Sequence, residues 1–242
     1  MKKTVTIKIG DFFFKFRNLL FPIIILILFL VRPPVDKILG VEFFEESKDY
    51  IAIFITFLGL LLRALVIGFV YIKRGGLNKK VYADTLVQDG FFGMCRNPLY
   101  VGNLIIYFGV FLMHGDIWVI AFGNLFMLFV YHCIVAAEEF FLKQKFGVQF
   151  TNYCKQVPRW GFRLSKFNES TKGMYFHFKR VLIKDYTTVT NTIIAITLIQ
   201  FYEEIRFYPT IHYATSISII VISIIFASSV RFAKKKKYLV DA

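Results

Sequence analysis

Charge is scarce in this chain: only 19% of its 242 residues are Asp, Glu, Lys or Arg, against 57% hydrophobic residues that include 30 Phe, and the mean hydropathy is +0.58. A soluble domain of this composition would lack polar surface, so the bilayer is the natural solvent. Cysteine is scarce too. Cys95, Cys133 and Cys154 show no CxxC and no metal-ligand spacing, so no metal centre is expected and all three read as free thiols in a reducing compartment. A Gly-rich nucleotide loop, a low-complexity linker and an internal repeat of the inverted-transporter kind are also missing. Acids are fewer than bases, 16 against 30, for a net charge of +14. Because the basic residues sit between apolar runs instead of on one polar face, nucleic acid is not an expected partner.

What is present is a series of long apolar runs. About 20 residues suffice to cross the hydrocarbon as a helix, and six runs qualify or nearly so: Phe16 to Val31, Ile51 to Ile72, Pro98 to Met113, Ile117 to Ala137, Val189 to Tyr202 and Ile211 to Val230. The first, third and fifth are short and need tilt, local thinning or snorkelling Lys and Arg. The fold expected is therefore all-α, a polytopic bundle of about six transmembrane helices. Lys and Arg favour cytoplasmic loops. With a cytoplasmic start, the inside segments collect Lys2 to Arg17, Lys73 to Arg96, Lys143 to Lys184 and Arg231 to Lys237, while the outside segments keep Arg32, Lys37, Lys48 and Arg206 beside eight acids from Asp36 to Glu204. Both termini are expected inside, in the plasma membrane if the source is bacterial. The N-terminal run has no small-residue cleavage site and closes on Arg32, Pro33 and Pro34, so it reads as a retained helix. Basic loops, and Lys234 to Lys237 above all, are expected to meet anionic lipid headgroups.

His114, Gly115 and Asp116 form a link too short for anything but a helical hairpin. Residues before Pro98 and after Ala137 must then meet at the cytoplasmic end. Pro98 suits a first helical turn and Asn97 reads as its cap. Asp84 to Phe92 reads as an irregular or re-entrant loop, and Gly147 as the stop of a helix that leaves the membrane through Glu138 to Phe146. Glu138 and Glu139 close a run of about 20 residues without other charge. Carboxylates at that depth mark a functional site when a partner can be named, although a plain water-interface position is the simpler alternative.

Against that pair the hairpin brings "GFFGMCRNPLYVGN", Gly90 to Asn103, and the chain continues as "EEFFLKQKFGVQFTNYCKQVPRW", Glu138 to Trp160. These stretches resemble the isoprenylcysteine carboxyl methyltransferases and their phospholipid methyltransferase relatives, over about residues 50 to 160. The resemblance implies an integral membrane methyltransferase that uses S-adenosylmethionine without a Rossmann domain. It implies cofactor contacts at Asp84, Thr85, Leu86, Val87, Phe92, Asn97, Pro98, Leu99, Tyr100 and Glu138, and catalytic roles for Arg96, Tyr100, Glu138 and Glu139. Asn97 stands where many members have His, and Ile134 where the prenylcysteine enzymes carry an Arg for the substrate carboxylate.

The chemistry of the cofactor fits these residues independently. Its sulfonium and ammonium want carboxylates, which Glu138 and Glu139 supply; its own carboxylate wants a cation or oriented N–H groups, from Arg96 and the start of the third helix. Phe91, Phe92 and Tyr100 offer faces for adenine or the sulfonium. Plainer readings stand beside these: Arg96 as a lipid anchor, Tyr153 as an interfacial tyrosine, Arg159 as a headgroup contact, His114 and His132 as structural. Arg63 is intramembrane and needs a carboxylate or cavity partner.

The chain divides on this reading into 1–49, an N-terminal helix and loop; 50–165, the methyltransferase core; and 166–242, a C-terminal hairpin with a basic tail. The function expected is methyl transfer to a lipidic or lipid-anchored acceptor, isoprenylcysteine carboxyl methyltransferase-like, with a possible homodimer. Phospholipid N-methylation, an NADPH-dependent sterol- or enone-reductase-like activity and a non-catalytic scaffold are the competing readings.

Overall fold

A computed structural model describes residues 3–35, 42–70, 83–207 and 213–239, and every regular element among them is helical. Eight α-helices follow in order: α1 Val5–Val31, α2 Glu42–Phe69, α3 Phe91–Met94, α4 Pro98–His114, α5 Asn124–Gln156, α6 Phe167–Thr171, α7 Phe178–Phe207 and α8 Tyr213–Lys235. All six apolar runs fall on α1, α2, α4, α5, α7 and α8; Ile72 and Ile211 at their ends lie outside the described residues, as do Lys2, Asp36, Lys37, Lys73, Arg74, Lys79 and Lys80 of the charge count. Val5–Val31, Ser47–Phe69, Val119–Gln156 and Tyr213–Lys235 are long and apolar enough to cross a membrane, and Pro98–His114 is apolar but shorter. α7 has the length, 30 residues, but Lys179, Arg180, Lys184 and Asp185 crowd one end of it and Glu203, Glu204 and Arg206 the other.

Local chemistry sets the helix ends. The Thr4 hydroxyl accepts the Ile7 N–H at the start of α1. Pro98 occupies the first turn of α4, and Gly115, at φ 80°, ends it in the left-handed region that glycine tolerates. Asp116 then caps the returning helix, its carboxylate accepting the N–H groups of Trp118 and Val119 at 3.0 Å each. A π-helical turn, Val119–Gly123, leads into α5. Asn97 sits at the N-cap position of α4 as the sequence suggests, but its side chain makes no capping bond there. Its amide instead donates to the Arg159 carbonyl at 3.0 Å.

Two glycines let α2 and α4 pack at backbone distance. A Cβ on Gly109 would press on the Thr56 side chain and the Ala52 carbonyl, and one on Gly102 would press on the Arg63 stem. α1 lies on α5 in the same manner, Gly10 against the Cys133 carbonyl. Around that contact Phe14, Phe21, Phe111, Met127, Val130, Tyr131 and Ile134 form the largest apolar core.

α7 is fastened to α2 by two ion pairs, Lys48–Glu203 at 3.4 Å and Arg63–Asp185. It also packs on α8. α1 and α7 do not form a packed pair, yet both line one cavity of about 1280 Å³ whose floor is α4. Its rim is apolar and outward-facing: Leu26 and Leu30 on α1, Leu198 and Ile205 on α7.

Candidate active site

The α4–α5 hairpin brings residues near Pro98 against Glu138 and Glu139, as the short link requires. Tyr100 donates its hydroxyl to Glu138 at 2.7 Å. Glu139 faces two guanidiniums, Arg96 at 2.9 Å and Arg159 at 3.0 Å. The two adjacent carboxylates therefore differ in their partners: Glu139 meets two guanidiniums, whereas Glu138 meets a tyrosine hydroxyl at the cavity wall. Both acids are expected from the sequence to face the cofactor's cations, and in the structure Glu139 has two arginines beside it.

Arg159 reaches Glu139 because the segment after α5 folds back along the approach to α4. The Arg96 N–H donates to the Pro158 carbonyl at 2.9 Å and the Arg163 N–H to the Met94 carbonyl at 3.0 Å. The Cys95 thiol lies 3.3 Å from the Trp160 carbonyl, and burial pushes that thiol up to about 11. The Tyr153 hydroxyl donates to the Phe92 carbonyl at 2.7 Å, so Tyr153 holds the loop wall in place.

Gly147 makes this return possible. At φ 51°, ψ −117° it breaks α5, but helix resumes at once and continues to Gln156. The glycine is thus a bend between two helical stretches instead of a stop, because Phe150, Tyr153 and Val157 pack with Leu86 and keep the second stretch bound to the loop.

Of the cofactor candidates, Asp84, Thr85, Leu86, Val87, Phe92, Asn97, Leu99, Tyr100 and Glu138 line the common cavity, with Arg96 and Glu139 beside them. Pro98 is buried at the start of α4 and does not line it. The Tyr100 and Val101 N–H groups both end on the Asn97 carbonyl, which leaves the start of α4 with less to offer an anion than the sequence suggested.

Deeper in the cavity sits Arg63, whose partner is Asp185 of α7, 122 residues away. Its Nε and one Nη2 proton go to the two Asp185 oxygens, the other Nη2 proton goes to the Thr188 hydroxyl at 3.2 Å, and the Nη1 protons go to Asn103 and the Leu99 carbonyl. All five guanidinium donors are used. Asn103 in turn donates to the Tyr131 hydroxyl at 2.9 Å. Sequence reading missed Asp185, Thr188, Asn103 and Tyr131. An intramembrane Arg does signal that a carboxylate is required, and an acid in the polar flank of α7 was the available signal for which one.

Residues 54–149 match the phospholipid methyltransferase family. Among curated proteins, the nickel-cobalt-cadmium resistance protein NccN of Alcaligenes xylosoxydans xylosoxydans is 27% identical over 126 residues, 52% of this chain and 59% of that protein. The cobalt-zinc-cadmium resistance protein CzcN of Cupriavidus metallidurans is 35% identical over 89 residues, 36% of this chain and 41% of that protein. The chain thus spans about half the length of the curated relatives it matches. No solved structure matches it. The matched stretch, which holds the paired Tyr100 and Glu138 and lies on apolar helices, is thus similar to the phospholipid methyltransferase family.

Proposed function

We propose that the protein uses S-adenosylmethionine to methylate a lipidic or lipid-anchored acceptor that enters from the bilayer, in the manner of an isoprenylcysteine carboxyl methyltransferase. The observation that carries this reading is the division of labour between the two carboxylates: Glu138 faces the cavity with only a tyrosine hydroxyl on it, and Glu139 is held by Arg96 and Arg159. When bound, S-adenosylmethionine supplies an electrophilic methyl group on a sulfonium.

The residues present fit it. Glu138 would face its cationic groups. Buried Nε donors of Arg96 and Arg159 have no hydrogen-bond partner, so both arginines keep donor capacity for a carboxylate. Leu86, Phe92, Phe150 and Tyr153 offer an apolar and aromatic wall for a purine. The chain's own contribution to catalysis is orientation of the reactants and exclusion of water. Topologically, the basic segments favour this end of the bundle and both termini on the cytoplasmic side.

Calorimetric titration of detergent-purified protein with S-adenosylmethionine tests the reading. Binding is expected, and Glu138→Gln should weaken it about tenfold, as loss of one buried charge-assisted contact does. Folded protein that ignores the cofactor at millimolar levels but binds NADPH would turn the reading to a reductase. Incubating membranes with methyl-labelled cofactor and fractionating lipid, protein and small molecules identifies the acceptor class.

A further inference from the structure

Three cations line the cavity: Arg17, Arg63 and Arg96. Arg63 has spent all its donors on Asp185, Thr188, Asn103 and Leu99. Arg96 is paired with Glu139 and donates to Cys154, and its remaining Nε donor is the one assigned above to the cofactor's carboxylate. Arg17, on α1, has no ion pair among the described residues. Its guanidinium lies 4.4 Å from the centroid of the buried Phe14 ring, itself part of the cavity wall. A guanidinium that merely snorkelled would extend away from the cavity toward headgroups; here the aromatic face holds it at the wall.

The surroundings describe what such a cation would meet. Asn18 lines the cavity next to it, and so does Pro22, which has no N–H to give to the Asn18 carbonyl one turn back. Beyond Pro22 the cavity runs between Ile25 and Leu26 of α1 and Leu198 of α7, toward His114 at the far end of α4. From Tyr100 to His114 that is roughly 21 Å at 1.5 Å per helical residue. One charged end, a long apolar trough and an outward-facing apolar rim describe an amphiphile lying with its head at Arg17.

We propose that Arg17 is the anion anchor of the acceptor site, holding the carboxylate or phosphate head of an amphiphile whose chain lies between α1 and α7. This rests on the methyltransferase reading for the meaning of "acceptor", but anion recognition can be measured without the cofactor. Ile134, where the resemblance calls for a substrate-binding Arg, is buried in the core that α1 covers together with Phe14 and Phe21. The positive charge is therefore offered from α1 and not from α5.

The test uses full-length protein in phosphatidylcholine nanodiscs and a hexadecanoate carrying pyrene at its chain end. Unlabelled hexadecanoate, hexadecyl phosphate and methyl hexadecanoate compete for the probe at about pH 8, where both oxyanions are ionised. Both anions should displace it at concentrations at least about tenfold below the ester, the scale of one charge-assisted contact, and their order says which head is preferred. In Arg17→Gln the preference should collapse to within about twofold, and Arg17→Lys should keep part of it, lacking only the planar fork. An ester that competes as well as the anions on the native protein overturns the proposal, and so does an Arg17→Gln variant that keeps the preference. Calorimetry with S-adenosylmethionine on the same variants should change less than about threefold. A tenfold loss there with anion preference intact would assign Arg17 to the cofactor instead. Failure of the native protein to bind S-adenosylmethionine would remove the methyltransferase reading while leaving the pyrene result to stand or fall alone.

Discussion

At the scale of single residues, position along the chain says little about role, and partners say most. Glu138 and Glu139 are neighbours in sequence, yet one turns to a tyrosine and a cavity and the other to two arginines. Asp116 shows the same principle at the hairpin. Burial alone would raise its carboxyl, but hydrogen bonds from Arg32 and from the Val119 and Trp118 N–H groups, with the Arg32 charge, hold it below the usual carboxylate range. A carboxyl depressed on folding stabilises the folded state above its unfolded value, about 3.9, and loses that contribution as pH falls through its folded value. Melting temperature followed by circular dichroism should therefore show an Asp116-dependent fall only at pH below about 4. Asp116→Asn, which keeps a capping oxygen, should remove that acid dependence while lowering stability by no more than about 1 kcal/mol.

At the scale of elements, the six longer helices were legible because each carries an apolar run nearly free of charge, and the hairpin because three residues cannot do anything else. The bend at Gly147 was half legible: glycine marks a break, but nothing local says that helix resumes beyond it. Asp185 was not legible as a partner, since it lies among Lys184, Tyr186 and Thr187 in what reads as a polar flank, 122 residues from Arg63. Arg159 was legible as a motif residue but not as the second clamp on Glu139, which depends on the chain folding back after α5. Arg17 was hidden in a run of basic residues that orientation alone explains. The Arg63–Asp185 pair gives a test of how α7 is held. Arg63→Met should cost about 3–5 kcal/mol, because it strands a buried carboxylate, and Arg63→Met with Asp185→Leu should recover most of that loss. Thermal unfolding in detergent reads both; a double variant no better than the single would mean that the Asn103 and Thr188 bonds to Arg63 carry the stability.

At the scale of the whole molecule, the family match at 54–149 leaves out α1, the end of α5, α6, α7 and α8. Two of these, α1 and α7, are the walls between which the cavity opens. The matched segment thus carries Tyr100, Glu138 and Glu139, and helices outside it complete the cavity around them. Joining α1 to α7 should separate cofactor binding from methyl transfer. With Leu26→Cys and Leu198→Cys in a background without Cys95, Cys133 and Cys154, a bis-maleimide bridge is expected to leave S-adenosylmethionine binding intact. Label transfer into membrane extracts should fall about tenfold or more if the acceptor enters between these helices. Undiminished transfer in the bridged protein would place the entrance elsewhere.

The buried pair between α2 and α7 also has a consequence for biosynthesis. Arg63 lies six residues from the end of a membrane-crossing stretch, Ser47–Phe69, and its counter-charge is made only when ribosomes reach residue 185. Until then the nascent chain holds an uncompensated guanidinium within an apolar helix, which is costly in lipid. A chain cut short before Asp185 therefore carries its own mark of incompleteness, a cation that lipid disfavours.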